Sequence, residues 1–336
     1  MVSVIQKHSF LVCPVCKQQL QIEVEKSELY CIECSVAFPT QILYGGCEFT
    51  SFAKTEADEI KKNEIMYDAS NLNERYKNFL NWLFQTFKVE EETFRRNMFK
   101  NLKISKNMNV LITSVGNGDD IINLVRMFPD MNLNIYAQDI SVTMCEFALS
   151  RLRNLEIQIR EMNISDLAAL PYKSNFFDVV FHFGGINWIS DKADALSEMV
   201  RVAKDFGQIG ISDESVAPWL RNSTFGKMMI NNNSLWSAEI PLDILPANIN
   251  KVKVEYLLEN CFYFISFVKD PKFPNVDLDV RHIGPRGGSI RTRFFGKIEG
   301  IDPLLGEAVR RTAIAKGMSE ADWLEMTLRK EISQSD

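Results

Sequence analysis

Apolar positions along this chain follow two periods, and the change from one to the other marks out its elements. Val110 to Val115 is a short apolar run suited to a buried strand, followed by Gly116, Asn117 and Gly118 and then a helix-like segment from Ile121 to Met127. A second strand is predicted over Leu133 to Ala137, ending at Asp139, with further strands over Phe176 to Gly185, Lys251 to Tyr256 and Cys261 to Val268. Upstream, Phe79, Leu80, Leu83, Phe84 and Phe87 recur at helical spacing, and Phe94, Met98, Phe99 and Leu102 continue after a short break. Near the start, Leu20 to Glu25 alternates apolar and polar and Glu28 to Cys31 returns, as in a hairpin. At the far end the basic, glycine-rich stretch Arg281 to Arg293 predicts a loop followed by a strand. Asp302 with Pro303 then starts a helix with Leu304, Leu305, Ala308 and Val309 on one face, and Ser319 starts another carrying Trp323, Leu324, Leu328 and Ile332.

Composition narrows the class. Of the 336 residues 46% are hydrophobic, enough for a full core, so global disorder is excluded. A net charge of −6 argues against nucleic acid as a partner of the whole chain. No run approaches the ~18 uninterrupted apolar residues of a membrane span, and no signal-peptide core follows Met1. A soluble, cytoplasmic protein is expected.

The seven cysteines change the picture, because four of them form two Cys-x-x-Cys pairs. Cys13 with Cys16 and Cys31 with Cys34 are separated by fourteen residues, and each pair can offer two thiolates to adjacent corners of a zinc tetrahedron. Four thiolates leave no open coordination position, so the expected Zn2+ is structural. A redox dithiol is the other reading, but it needs one pair rather than two. The segment resembles the short zinc ribbon of the activator subunit of tRNA and protein methyltransferases, here fused. Cys47 lies outside the pattern.

The glycine turn carries the second piece of chemistry. A strand, a glycine turn and a helix bring backbone N–H groups and a positive helix end close to a ligand. Asp139, about twenty residues on, ends the next strand where a carboxylate can hold ribose hydroxyls. Three further segments follow in order: Asp166 to Tyr172, Phe176 to Gly185, and Asp194 to Gly210. Together they resemble the ubiquinone/menaquinone-type family of S-adenosylmethionine (SAM)-dependent methyltransferases over roughly residues 65 to 215. The resemblance implies an α/β fold, a Rossmann-like seven-stranded methyltransferase sheet whose last two strands are antiparallel. It implies that Gly116 and Gly118 face the methionine part of SAM, Asp139 the ribose and Asp166 the adenine amine, with Ile140 and Leu167 flanking the ring. Tyr67, in a Tyr-Asp pair ahead of the cap helices, would lie near the methionine end. The sequence departs from the family at Ser114, where an acid is usual, and at Asp120, where a third glycine is usual. Asp119 or Asp120 would then replace the missing acid, or the site would be inert.

The expected organisation is a zinc ribbon at 1–50, a linker and helical cap at 51–105, the SAM-dependent methyltransferase domain at 106–270 and a helical extension at 271–336. Ala53 to Glu64 is charged and reads as a solvated linker.

On the acceptor side, Phe183, Gly184, Gly185 and Ile186 stand where amine methyltransferases carry Asn-Pro-Pro-Tyr, which argues against adenine and glutamine acceptors. His182 adjoins this edge and is the candidate catalytic base; as a strand residue under a helix it would instead be core. Asp213 and Glu214 form a second candidate acid/base site. The expected activity is O- or C-methylation of a small-molecule acceptor. An rRNA or tRNA base methyltransferase and a non-catalytic binding protein are the alternatives. The extension resembles a ribbon-helix-helix module that would pair strands across a homodimer, with Arg291, Arg293 and Lys297 alternating along the strand.

Overall fold

The structure is a computed structural model and describes residues 9–23, 27–42, 48–52, 72–285, 287–295 and 302–334. Tyr67, Cys47, Lys297 and the linker Ala53 to Glu64 lie outside the described residues. Two compact units divide the chain, residues 1–273 and 274–336.

In the first unit the expected strands appear as β5 (Asn109–Thr113), β6 (Asn134–Asp139), β8 (Phe177–Phe183), β10 (Ile249–Leu257) and β11 (Phe262–Lys269), joined by β7 (Glu161–Ile164) and β9 (Ala203–Glu214). Their order is β7-β6-β5-β8-β9-β11-β10, parallel from β7 to β9 and antiparallel for the last pair. The sheet does not stop at seven strands. The amino-terminal segment adds β1 (Gln21–Glu23), β2 (Glu28–Cys31), β3 (Val36–Ile42) and β4 (Glu48–Ser51), and β4 pairs in parallel with β7 to give an eleven-stranded sheet. That pairing covers the backbone groups β7 would otherwise leave open at an edge. The ribbon is also anchored on one face of the sheet. Val12 N–H donates to Pro171 O at 2.8 Å, Lys17 meets Glu198 at 2.8 Å, and the Phe10 ring stacks on Phe176 at 5.3 Å.

Helices cover both faces, as buried parallel strands require. On one side lie α1 (Leu72–Phe87), α2 (Glu91–Lys100), α3 (Asp119–Met127) and α4 (Val142–Asn154); on the other lies α5 (Lys192–Val202). Alternation along β5 divides the core: Val110 and Ile112 pack with Leu80, Phe94 and Leu124, whereas Leu111 packs with Leu196 and Met199. A further helix, α6 (Thr224–Asn232), lies in the segment between β9 and β10. No helix among the described residues is long and apolar enough to cross a membrane.

The second unit holds α7 (Ile290–Phe295), α8 (Pro303–Ala315) and α9 (Glu320–Ser333). The last two start where predicted: the Asp302 side chain accepts from Leu304 N–H, and Ser319 accepts from Asp322 N–H. The strand expected over Arg291 and Arg293 is instead the helix α7. Its start is fastened by a reciprocal pair, Ser289 N–H to Thr292 Oγ1 at 2.8 Å and Thr292 N–H to Ser289 Oγ at 3.2 Å. Arg291 is turned to Asp279 and Asp322 rather than along a strand row. The described residues therefore contain no ribbon-helix-helix strand.

Candidate active site and metal centre

Strand order reverses between β5 and β8, and a cavity of about 470 Å3 opens there at the carboxyl ends of the strands. One half is built from the turns after β5, β6 and β7. Gly116 (φ +52°) and Gly118 (φ +83°) hold the left-handed conformations that bend the chain from β5 into α3. Gly116 lines the cavity; Gly118 instead caps α3, where an added Cβ would stand 3.4 Å from Ala148 Cβ. Asp139 at the end of β6 also lines it and is 8% exposed. Its carboxylate accepts from Gly116 N–H at 2.8 Å and Ser141 N–H at 3.0 Å, so the glycine turn and the acid hold one another in register. Burial raises the Asp139 pKa, and these N–H donors oppose the rise. Ile140, Asp166 and Leu167 complete this half. Asp166 stays solvent-accessible while accepting from Ala168 N–H at 2.8 Å.

Ser114 lines the cavity in place of the usual acid, and neither neighbouring aspartate replaces it. Asp120 is 4% exposed and is bound by Arg95 Nη1 at 2.6 Å, while Asp119 is bound by Arg151 at 2.8 Å. Arg95 is the residue the sequence reading missed. An arginine inside an aromatic helical stripe looks like an exposed position, but here it is 1% exposed.

The other half of the cavity is apolar, with Phe79, Leu80 and Leu83 from α1 facing Phe183, Leu235 and Phe262. His182 is not on this wall. Alternation along β8 sends Phe183 toward the cavity and His182 into the opposite face, where it is fully buried. Its Nδ1 lies 3.0 Å from Thr113 Oγ1, and burial lowers its pKa to about 4. A neutral core histidine cannot reach an acceptor in the cavity, so the candidate base is corrected to a core residue.

The carboxyl groups on the wall are Asp213 and Glu214, at the end of β9. Asp213 accepts from the backbone N–H groups of Asn187 and Glu214, both at 2.8 Å. Asn187 also donates its side-chain N–H to Glu214 O at 2.8 Å, which staples the turn Ile186–Trp188 to the strand end. Burial raises both pKa values; the backbone donors oppose this at Asp213, whereas at Glu214 burial, reinforced by the Asp213 charge, lifts the pKa well above the usual carboxylate range. Glu214 is thus the more readily protonated member of the coupled pair.

The cysteine tetrad assembles as expected. The sulfurs of Cys13, Cys16, Cys31 and Cys34 all lie within 4.8 Å of one another, with Cys16 to Cys31 at 3.4 Å and Cys13 to Cys34 at 3.9 Å. Sulfurs ~2.3 Å from one tetrahedral zinc would stand ~3.8 Å apart, so the donor set fits that ion. The thiols perturb one another: a backbone hydrogen bond from Gln18 lowers Cys16 to about 7, while the Cys16 thiol and burial push Cys34 up to about 12. A divalent cation at the centre would hold all four as thiolates.

A glycine turn locked to a strand-end acid at a topological switch, on a sheet ending in an antiparallel pair, is the architecture of a methyltransferase-type α/β domain able to hold a nucleoside cofactor. The comparisons agree: residues 104–261 match the family model described as Methyltransferase domain, and residues 8–40 match that of Trm112p-like protein. The chain is 30% identical over 124 residues to demethylmenaquinone methyltransferase of Lactobacillus johnsonii, covering 36% of this chain and 50% of that one. It is 28% identical over 165 residues to ubiquinone/menaquinone biosynthesis C-methyltransferase UbiE of Geotalea uraniireducens, covering 49% and 67%. The chain thus spans from half to two thirds of these relatives' length. Among solved structures, phosphoethanolamine N-methyltransferase 2 of Haemonchus contortus, in complex with SAM, superposes with a TM-score of 0.49 at 15% identity, covering 66% of this chain and 62% of that one.

Proposed function

We propose that this protein transfers the methyl group of SAM to an oxygen or ring carbon of a small, apolar, hydroxyl-bearing acceptor. One observation carries the reading: a single cavity joins the Gly116–Asp139 turn to an aromatic wall that bears a buried carboxyl pair. In this assignment Gly116 takes the methionine end, Asp139 the ribose hydroxyls and Asp166 the adenine amine, between Ile140 and Leu167. The acceptor lies against Phe183 and Phe262 with its hydroxyl toward Asp213 and Glu214. Transfer from a sulfonium is an in-line displacement: the S–CH3 bond breaks as the new O–CH3 or C–CH3 bond forms, and positioning supplies most of the rate. The proton released by the acceptor passes to the Asp213–Glu214 pair and from there to solvent. The names of the curated relatives support a quinol-type ring as the acceptor class.

The experiment is transfer of labelled methyl from SAM to 1,4-naphthohydroquinone and catechol, with bulk tRNA and rRNA in parallel. Label in the small phenols supports the reading, whereas label confined to RNA replaces it with base methylation. The same reading puts the protein in the cytoplasm, where its thiols stay reduced. It also gives the second unit a homodimer contact, supported by the exposed Leu304, Ile314 and Ile332. An unchanged sedimentation profile after deletion of residues 285–336 would remove that contact.

A further inference from the structure

Two carboxylates stand in the first turn of α3, immediately after the glycine turn. A helix start favours anions, but an α-carboxylate of an amino-acid ligand held at the same end would be repelled by two uncompensated ones. Both are compensated here. Arg95 of α2 binds Asp120 at 2.6 Å and approaches Asp119 at 3.9 Å; Arg151 of α4 binds Asp119 at 2.8 Å and donates to Asn117 O, inside the turn itself, at 2.7 Å. Glu91 aligns Arg95 from one helical turn away at 2.8 Å. The Arg95 guanidinium carbon also lies 4.7 Å from the ring centre of Phe183, which is part of the cavity wall.

We infer that Arg95 is a positioning residue for the amino-acid end of the cofactor. Through Asp120 it fixes the start of α3 and the backbone N–H groups that precede it, and through Phe183 it ties that turn to the acceptor wall. The inference rests on the proposed assignment of Gly116 to the methionine end. Asp120 does not line the cavity, so the effect reaches the ligand through the turn and not by contact. Asp120 is then no defect in a glycine motif. It is the anchor by which a helix of the cap grips the cofactor loop, and the buried arginine is the counter-ion that makes an acid tolerable there. Without Arg95, Asp120 would be a buried anion with no partner, relieved only by taking up a proton or by turning outward, and either response shifts the first turn of α3.

The test is calorimetric titration with two nucleosides. S-adenosylhomocysteine carries the amino-acid end, and 5′-methylthioadenosine lacks it. Arg95→Met should weaken S-adenosylhomocysteine roughly tenfold, within the usual range of coupling between linked sites, and leave methylthioadenosine within about twofold. The double variant Arg95→Gln with Asp120→Asn, which keeps a hydrogen bond but removes both charges, should recover most of the loss. General loosening of the fold would weaken both nucleosides alike; equal losses, or none for either, overturn the inference. Should Arg95→Met fail to fold, Asp120→Asn alone carries the comparison with the same expected split. Wild-type protein that binds neither nucleoside overturns the assignment of the cavity instead.

Discussion

Replacing His182 by Asn decides between a core histidine and a catalytic base. Thr113 Oγ1 lies 3.2 Å from Phe181 O, to which it donates, so the imidazole Nδ1–H donates to Thr113 and Nε2 is left as a bare lone pair. Protonation would place an N–H at Nε2 where no acceptor stands among the described residues. The pKa accordingly falls from 6.5 to about 4, a shift of roughly 3 kcal/mol at ~1.4 kcal/mol per unit. For a base whose folded pKa is depressed, the unfolded chain binds the proton more readily. The contribution is therefore complete above pH 6.5 and is lost as the pH falls toward about 4. Urea denaturation of wild type and His182→Asn from pH 7.5 to 4.5 isolates this term, because other titrating groups cancel in the difference. The variant starts less stable, through a small void, and should gain on wild type by about 2 to 3 kcal/mol as the pH falls. Methyl transfer at pH 7.5 should be nearly unchanged. A stability gap that does not vary with pH, or a loss of turnover of orders of magnitude, would refute the burial reasoning.

Asp139→Ala should weaken S-adenosylhomocysteine at least several-fold in calorimetry, because both the proposed ribose contact and the brace on Gly116 N–H go with it. Cys16→Ser should release one equivalent of zinc, measured by atomic absorption, and lower the Tm, since metal binding supplies much of the folding energy of so small a module. Glu214→Gln should lower turnover of a phenolic acceptor by about a hundredfold, the scale of general acid–base catalysis, because it removes one member of the pair that takes the acceptor's proton, while SAM binding holds. Its stability should change in the opposite sense to that at His182. The folded pKa of Glu214 is raised, so its favourable contribution is complete below about pH 4.5 and fades as the pH rises, and the glutamine variant should gain on wild type in Tm toward alkaline pH.

The strands β5 and β6 were legible because each is short, apolar and ends at residues with one chemical use: the glycines after β5 and Asp139 closing β6. The cysteine spacing was equally direct, since two pairs can close one tetrahedron. What the one-dimensional pattern could not carry was side-chain direction at the strand ends. His182 and Phe183 are neighbours in sequence but face opposite ways, and a single step along a strand separates core from cavity. Nor could it carry long-range pairing. The partner of Asp120 lies twenty-five positions upstream in another helix, and β4 finds β7 across more than a hundred residues. At Ser289 the difficulty was local: a serine and a threonine three apart close on each other's backbone and side chain, and they win over a stretch of charged and aromatic residues that reads as extended.

The seam between β4 and β7 has a consequence for how the molecule behaves when dilute. A zinc module supplied as a separate chain would come and go with its own abundance, whereas one joined by a short stretch of polypeptide meets its seat at about millimolar local concentration. Occupancy of that seat is then indifferent to expression level, and stoichiometry is guaranteed by translation itself. Severing the connection with a protease should turn a permanent attachment into a titratable one.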